Sequence, residues 1–358
     1  MSKFLSNRRH RATLATVALA ITAGALFRWA GAPLPWLIGP LLACAAVNMA
    51  SGRLYSPRAV LNAGQWIIGL VLGLYFSADV LAALGREAGL IAIVILWAIV
   101  LGFALAWLMR KLTGMDRATA FFASAIGGAS EMMVQAERAG GVPASVAAAH
   151  SVRLMMVVVL IPFVYRWLDL HGSDPYQPAV LGVHAGGLLG LLALTAVGGF
   201  VADRLDAPNA WVIGALLVSA TLTASGVYWS AVPGWLTTAG QIAIGMTLGT
   251  RFTPAFYRSA PRVALASVVV TAVSLLACGA FGWLLGIASG VAPATLILAT
   301  APGGIAEMSL TARNLDLGVP MVTAFQAARM VVLVLTLGII YRWTLGRRDL
   351  QPSTGDPR

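Results

Sequence analysis

Apolar runs of about 17–25 residues recur along the whole chain, and no polar stretch between them is long enough for a soluble domain of ~50 residues. Wound as α-helix, a run of that length matches the hydrocarbon core of a bilayer. Composition agrees: 59% of residues are hydrophobic and 10% are charged, where soluble chains carry about a quarter charged residues. The fold class is therefore all-α integral membrane, and the lipid bilayer is the first partner. The net charge of +11 does not point to nucleic acid, because the basic residues are scattered through short loops instead of gathered on one domain. Lys3, Arg8, Arg9 and Arg11 form the only basic cluster, and residues 1–12 read as a cytoplasmic anchor. With the apolar stretch and the AGA near residue 25 they also resemble a signal peptide.

An internal duplication argues against removal of that segment. Shifting the chain by 176 residues lays GQWIIGLVLG (64–73) on GQIAIGMTLG (240–249), Arg153 on Arg329, and YRW (165–167) on YRW (341–343). With one residue of slip, PWLIGPLL (35–42) matches AWVIGALL (210–217). Repeat 1 spans 13–170, repeat 2 spans 176–345, and 346–358 reads as a cytoplasmic tail. The first apolar run has a counterpart near 180–203, so it needs no signal-peptide explanation.

Each half reads as six apolar segments: 13–31, 34–50, 60–76, 88–109, 118–136 and 144–168, then 179–202, 208–225, 236–252, 262–287, 293–311 and 320–342. If all six span, 14 Lys/Arg lie inside and eight outside; if the fifth segment of each half returns to the side it entered, 18 lie inside and four outside, Arg153 and Arg329 being left out of both counts as intramembrane. The positive-inside rule favours the second arrangement. The expectation is about ten transmembrane helices, two broken or re-entrant segments at 118–136 and 293–311, two inverted repeats, and both termini cytoplasmic.

The fifth segments carry SAIGGASEMMV (124–134) and TAPGGIAEMSL (300–310), the same Gly-Gly-x-x-Glu-Met pattern twice. Consecutive glycines let a backbone turn, and broken helices repeated with inverted topology are how many secondary transporters build a midplane site. Gly127, Gly128, Gly303 and Gly304 are thus expected at a common polar cavity, with Glu131 and Glu307 binding a solute, proton or cation. Each glutamate has a second reading, as a structural partner of Arg153 or Arg329. A charge at the bilayer centre costs at least ~2.5–3.5 kcal/mol on insertion scales, so four such residues need a compensating reason. Gln65 and Gln241 read either as amides bridging close-packed GxxxG helices (Gly69/Gly73, Gly245/Gly249) or as substrate contacts. His150, aligned with Gln326, reads as a proton relay or as a histidine satisfied by a carbonyl.

Cys44 and Cys278 occupy non-equivalent apolar positions, and the four histidines show no metal-ligand spacing. Neither a metal nor another cofactor is expected, and no catalytic residue is assigned.

The duplicated halves, the paired PWLIGPLL and AWVIGALL, the GQ-x-x-x-G-x-x-x-G repeats and the twin GG-x-x-EM motifs resemble the AbrB-type bacterial membrane proteins, over residues 12–345. The resemblance implies a bacterial inner-membrane protein carrying two labels, AbrB family regulator and ammonia monooxygenase. The small soluble DNA-binding regulators of the same name have a fold for which this chain has no room. Oxidising ammonia with dioxygen needs a copper or iron centre, and no ligand cluster is visible here. A regulatory role without a cytoplasmic domain is left with an indirect route. The leading expectation is a secondary transporter or exporter of a small solute, coupled to a proton or cation; the alternative is a membrane-embedded regulator or sensor affecting gene expression indirectly. The sequence leaves solute identity and homo-oligomer formation open.

Overall fold

Proline and glycine punctuate a chain that is otherwise helical. Prolines open helices at Pro35, Pro143, Pro261 and Pro293, where a missing N–H is harmless, while Gly52 and Gly114 end helices with positive φ. The computed structural model describes residues 2–172, 178, 182–254 and 261–346. In the first half α1 is Ser2–Trp29, α2 Pro35–Ser51, α3 Arg58–Gly73, α4 Ala78–Arg86, α5 Ala88–Thr113, α6 Arg117–Ser124, α7 Ala129–Arg138 and α8 Pro143–Trp167. In the second, α9 is Ala185–Arg204, α10 Ala210–Ala224, α11 Gly234–Gly249, α12 Pro261–Ser289, α13 Pro293–Thr300, α14 Ile305–Asn314 and α15 Val319–Tyr341, followed by a π-helical turn, Arg342–Gly346. Apart from Gly346, the expected tail at 346–358 lies outside the described residues.

Six of these helices, α1, α5, α8, α9, α12 and α15, are long and apolar enough to cross a membrane. The apolar α2 and α10 are shorter, 17 and 15 residues. The expected segment 60–76 corresponds to α3, and beyond it the chain bends by 88° into α4, a short helix that was not expected. Ser77 explains the bend: its side chain accepts the Val80 N–H and starts a new, amphipathic helix. Both fifth segments are broken as anticipated, into α6 and α7 and into α13 and α14.

The halves interlock by exchange. Helix α3 lies along α10, with Gly69 against the Val212 carbonyl and Gly73 against Leu216 and Ser219. The equivalent α11 lies along α2, with Gly245 against the Leu37 carbonyl and Gly249 against Leu41 and Cys44. Both pairs run parallel. Missing side chains let the backbones approach, which is what drives association where lipid is as apolar as the core. Helices α3 and α11 touch each other at their own equivalent glycines, Gly64 and Gly240.

Helices α5 and α12 pack antiparallel. Trp97 stacks on Phe281 with ring centroids 4.3 Å apart, while Leu105 and Met109 share a small pocket with Ser267 and Val270. The last turn of α2 and the loop after it meet the end of α11: Asn48 Nδ2 donates to the Thr250 carbonyl (2.7 Å), the hydroxyls of Ser56 and Thr247 are 2.7 Å apart, and Gly52 lies beside Pro254.

Candidate functional site

Breaking a helix strands carbonyls at one end and N–H groups at the other. At the first break Arg153 answers the carbonyls, donating from Nη1 to Ala125 (2.6 Å) and from Nη2 to Gly127 (3.1 Å). At the second, Arg329 Nη1 donates to Thr300 (3.2 Å) and Ala301 (2.7 Å), and Nη2 to Gly303 (3.0 Å). A cation at a helix C-terminus also complements the dipole. Each arginine is held by the residue one turn before it. Arg153 Nη2 donates to His150 Nδ1 (3.1 Å), which leaves His150 Nε2–H to donate to the Phe122 carbonyl (2.9 Å). Gln326 repeats the arrangement, with Oε1 accepting from Arg329 (2.5 Å) and Nε2 donating to the Leu298 carbonyl (2.9 Å).

The N–H ends belong to the glutamates. Glu131 and Glu307 sit in the first turns of α7 and α14, where a carboxylate is favoured by the dipole. Each folds back over its helix start, and a β-carbon at Gly128 or Gly304 would collide with that carboxylate. A β-carbon at Gly127 would press on Met132 (3.0 Å), and one at Gly303 on Met308 (2.6 Å). In Gly-Gly-x-x-Glu-Met, then, the first glycine makes room for the methionine and the second for the glutamate. This corrects the turn argument. Gly128 has φ −66° and Gly304 φ −90°, values open to any residue. Neither glutamate forms an ion pair with an arginine among the described residues, so the structural-pair reading finds no support in the contacts.

One cavity of about 360 Å³ joins the two breaks. Glu131, Glu307, Gly127, Gly128, Gly303, Gly304, Arg153, His150 and Gln65 all line it. Glu307 is 9% exposed and Glu131 half-buried, while Arg58, Asp203 and Arg251 stand exposed at the rim. Glu307 faces the charge of Arg251 without pairing with it. Gln65 reaches from α3 to the Asn209 side chain at 3.4 Å. Two expected residues do not line the cavity. Arg329 lies behind the Gly303 carbonyl, 2% exposed, and Gln241 is partly buried on α11.

Sequence reasoning missed Arg58, Asp203, Asn209 and Arg251. The available signal for Arg58 and Arg251 was their place at opposite ends of equivalent third segments, which the exchange brings to one rim. Among the described residues no three His, Cys, Asp or Glu side chains converge as metal ligands. Chemically the cavity offers two carboxylates in the first turns of helices and, at Arg153, a guanidinium spent on carbonyls. What remains for a ligand is acceptor capacity at depth and mixed charge at the rim.

Comparison with known proteins follows the same contour. The profile of a family described as transition state regulatory protein AbrB matches residues 36–345. A Bacillus subtilis protein named "Uncharacterized protein YhjN" is 26% identical over 353 residues, 91% of each chain. An Escherichia coli protein named "Putative regulator AbrB" is 24% identical over 314 residues, 87% of this chain and 90% of its own.

Proposed function

This chain belongs to the AbrB family, and from that premise we propose that it is an inner-membrane secondary transporter of a small solute, bound where the paired Gly-Gly-x-x-Glu motifs meet. The observation that carries the proposal is the one-sidedness of the cavity. Its rim residue Arg251 has Tyr75 as its counterpart in the other half, and its wall residue Asn209 has Leu34. Those two counterparts are 8% and 4% exposed and share one apolar cluster. A duplicated molecule open at one face and plugged at the equivalent place is what alternating access requires of a resting state.

The proposal includes inverted repeats, ten spans and cytoplasmic termini. Several contacts support that topology. Arg138 and Arg342 line one groove, the end of α2 and the 52–57 loop bond the end of α11, and Arg166 donates to the Gly31 carbonyl. Each pair falls on one face only if the fifth segments fail to cross. The antiparallel packing of the equivalent α5 and α12 supports the same reading, since parallel repeats related across the membrane normal would run them together.

For this chain a regulatory role of the kind named in the Escherichia coli relative would follow indirectly, through the solute moved. The test compares metabolites inside and outside cells lacking or overproducing the protein, then follows the responsive solute in proteoliposomes. Glu131→Gln and Glu307→Gln are expected to leave folded protein in the membrane and each to impair transport, with the pH or cation dependence of at least one changed. If both variants stay abundant and transport normally, the site is elsewhere.

A further inference from the structure

A second cavity, of about 520 Å³, opens on the outer surface between α7 and α15. Its floor is a polar clasp between the halves: Gln135 on α7 donates from Nε2 to the Val334 carbonyl on α15 (3.0 Å), and its amide oxygen lies 2.7 Å from where a β-carbon at Gly338 would be. Phe122 and Tyr341, with ring centroids 5.2 Å apart, form the inner wall. Along α15 the outer wall carries Leu335 and Ile339, 67% and 49% exposed. One end of the groove is basic. Arg138 and Arg342 are both exposed there, neither is in an ion pair among the described residues, and Trp343 follows at 73% exposure, as expected of a ring at headgroup level.

We propose that this groove binds an anionic phospholipid, its phosphate between Arg138 and Arg342 and one acyl chain along Leu335 and Ile339. Apolar wall, paired guanidinium groups and a tryptophan at the boundary are arranged in the order of a lipid's own parts: tail, phosphate, water interface. The equivalent place in the other half keeps an exposed tryptophan, Trp167, but lacks the paired guanidinium groups and the glycine. Asn314 stands for Arg138 and Pro162 for Gly338, while Arg166 bonds the Gly31 carbonyl of another helix where its counterpart Arg342 bonds the Gly338 carbonyl within its own (3.3 Å). A site on one half only suits a ligand concentrated in one leaflet. The topology proposed above puts the groove in the cytoplasmic leaflet; the groove itself does not depend on that topology or on transport.

The experiment uses the purified full chain, delipidated in detergent, with phosphatidylglycerol, phosphatidylcholine or inorganic phosphate added back. Lipid retention is read by native mass spectrometry and stability by thermal unfolding. Each arginine contributes about a fivefold preference for anionic lipid at such a surface, so the pair predicts roughly 25-fold tighter retention of phosphatidylglycerol. The Arg138→Gln, Arg342→Gln double variant should lose that preference while matching the wild type in phosphatidylcholine. Equal retention of both lipids, an undiminished preference in the double variant, or equal stabilisation by inorganic phosphate would overturn the proposal.

Discussion

His150 and Gln326 do the same work with different chemistry. Each offers one donor to a carbonyl on the preceding short helix and one acceptor to the arginine that caps a broken helix. For the histidine this fixes the neutral form with the proton on Nε2, because an arginine never accepts. A proton relay at His150 would have to break that arrangement, and the glutamine in the other half cannot relay at all. His150→Gln is therefore expected to change stability by less than about 0.5 kcal/mol and to leave the pH profile of transport unmoved, whereas His150→Leu should cost about 1–3 kcal/mol by stranding the Phe122 carbonyl and the Arg153 N–H. Thermal unfolding and proteoliposome transport of the two variants check this; a pH profile displaced by the glutamine would restore the relay. The alignment of His150 with Gln326 was legible in the sequence. Its meaning was not, because the shared partners, Phe122 and Leu298, lie 28 residues upstream and bond through carbonyls that carry no sequence signature. The Gly-Gly-x-x-Glu-Met motifs were legible in the same partial way. Their spacing marked the breaks, but which glycine makes room for which side chain needs the fold.

At the level of the helices, glycines separate into those that permit a crossing and those that merely occupy a turn. A β-carbon at Gly69 would run into the Val212 backbone, and no rotamer change relieves a clash with main chain. At Gly279, inside α12, it would meet nothing. Gly69→Ala should therefore lose about 1–3 kcal/mol or separate α3 from α10, and Gly279→Ala should gain about 0.5–1 kcal/mol from helix propensity alone. Unfolding of the two purified variants, side by side, reads both signs; equal behaviour would mean that the crossing tolerates spreading. Element reading from sequence succeeded where apolar length and proline or glycine boundaries decide. The short helix α4 beyond the 88° bend was missed because the apolar run ends at Phe76 and the Ser77 cap that starts the new helix is one polar atom.

The whole molecule depends on whether two similar halves face the same way or opposite ways, and that is a question of side. Arginine counts raised the inverted arrangement from sequence, since loops retain charge bias even when the folded contacts are unknown. What sequence could not supply is the exchange of α2 and α3 with α11 and α10, because those contacts join residues about half the chain apart and arise from backbone approach at glycines instead of matched side chains. The exchange makes a sharp prediction. Single cysteines placed at Arg53, Arg138 and Pro254 should react with an impermeant maleimide only from the cytoplasm, and one at Leu168 only from outside. The native Cys44 and Cys278, 0% and 1% exposed, should stay silent and provide the background. Parallel repeats with twelve crossings give the opposite result at three positions, exposing 138 and 254 to the outside and 168 to the cytoplasm. Position 53 is cytoplasmic either way and serves as the control. Labelling of Pro254→Cys from outside would sink the inverted arrangement, and with it the argument that the apolar plug at Leu34 and Tyr75 is the other gate of the same path.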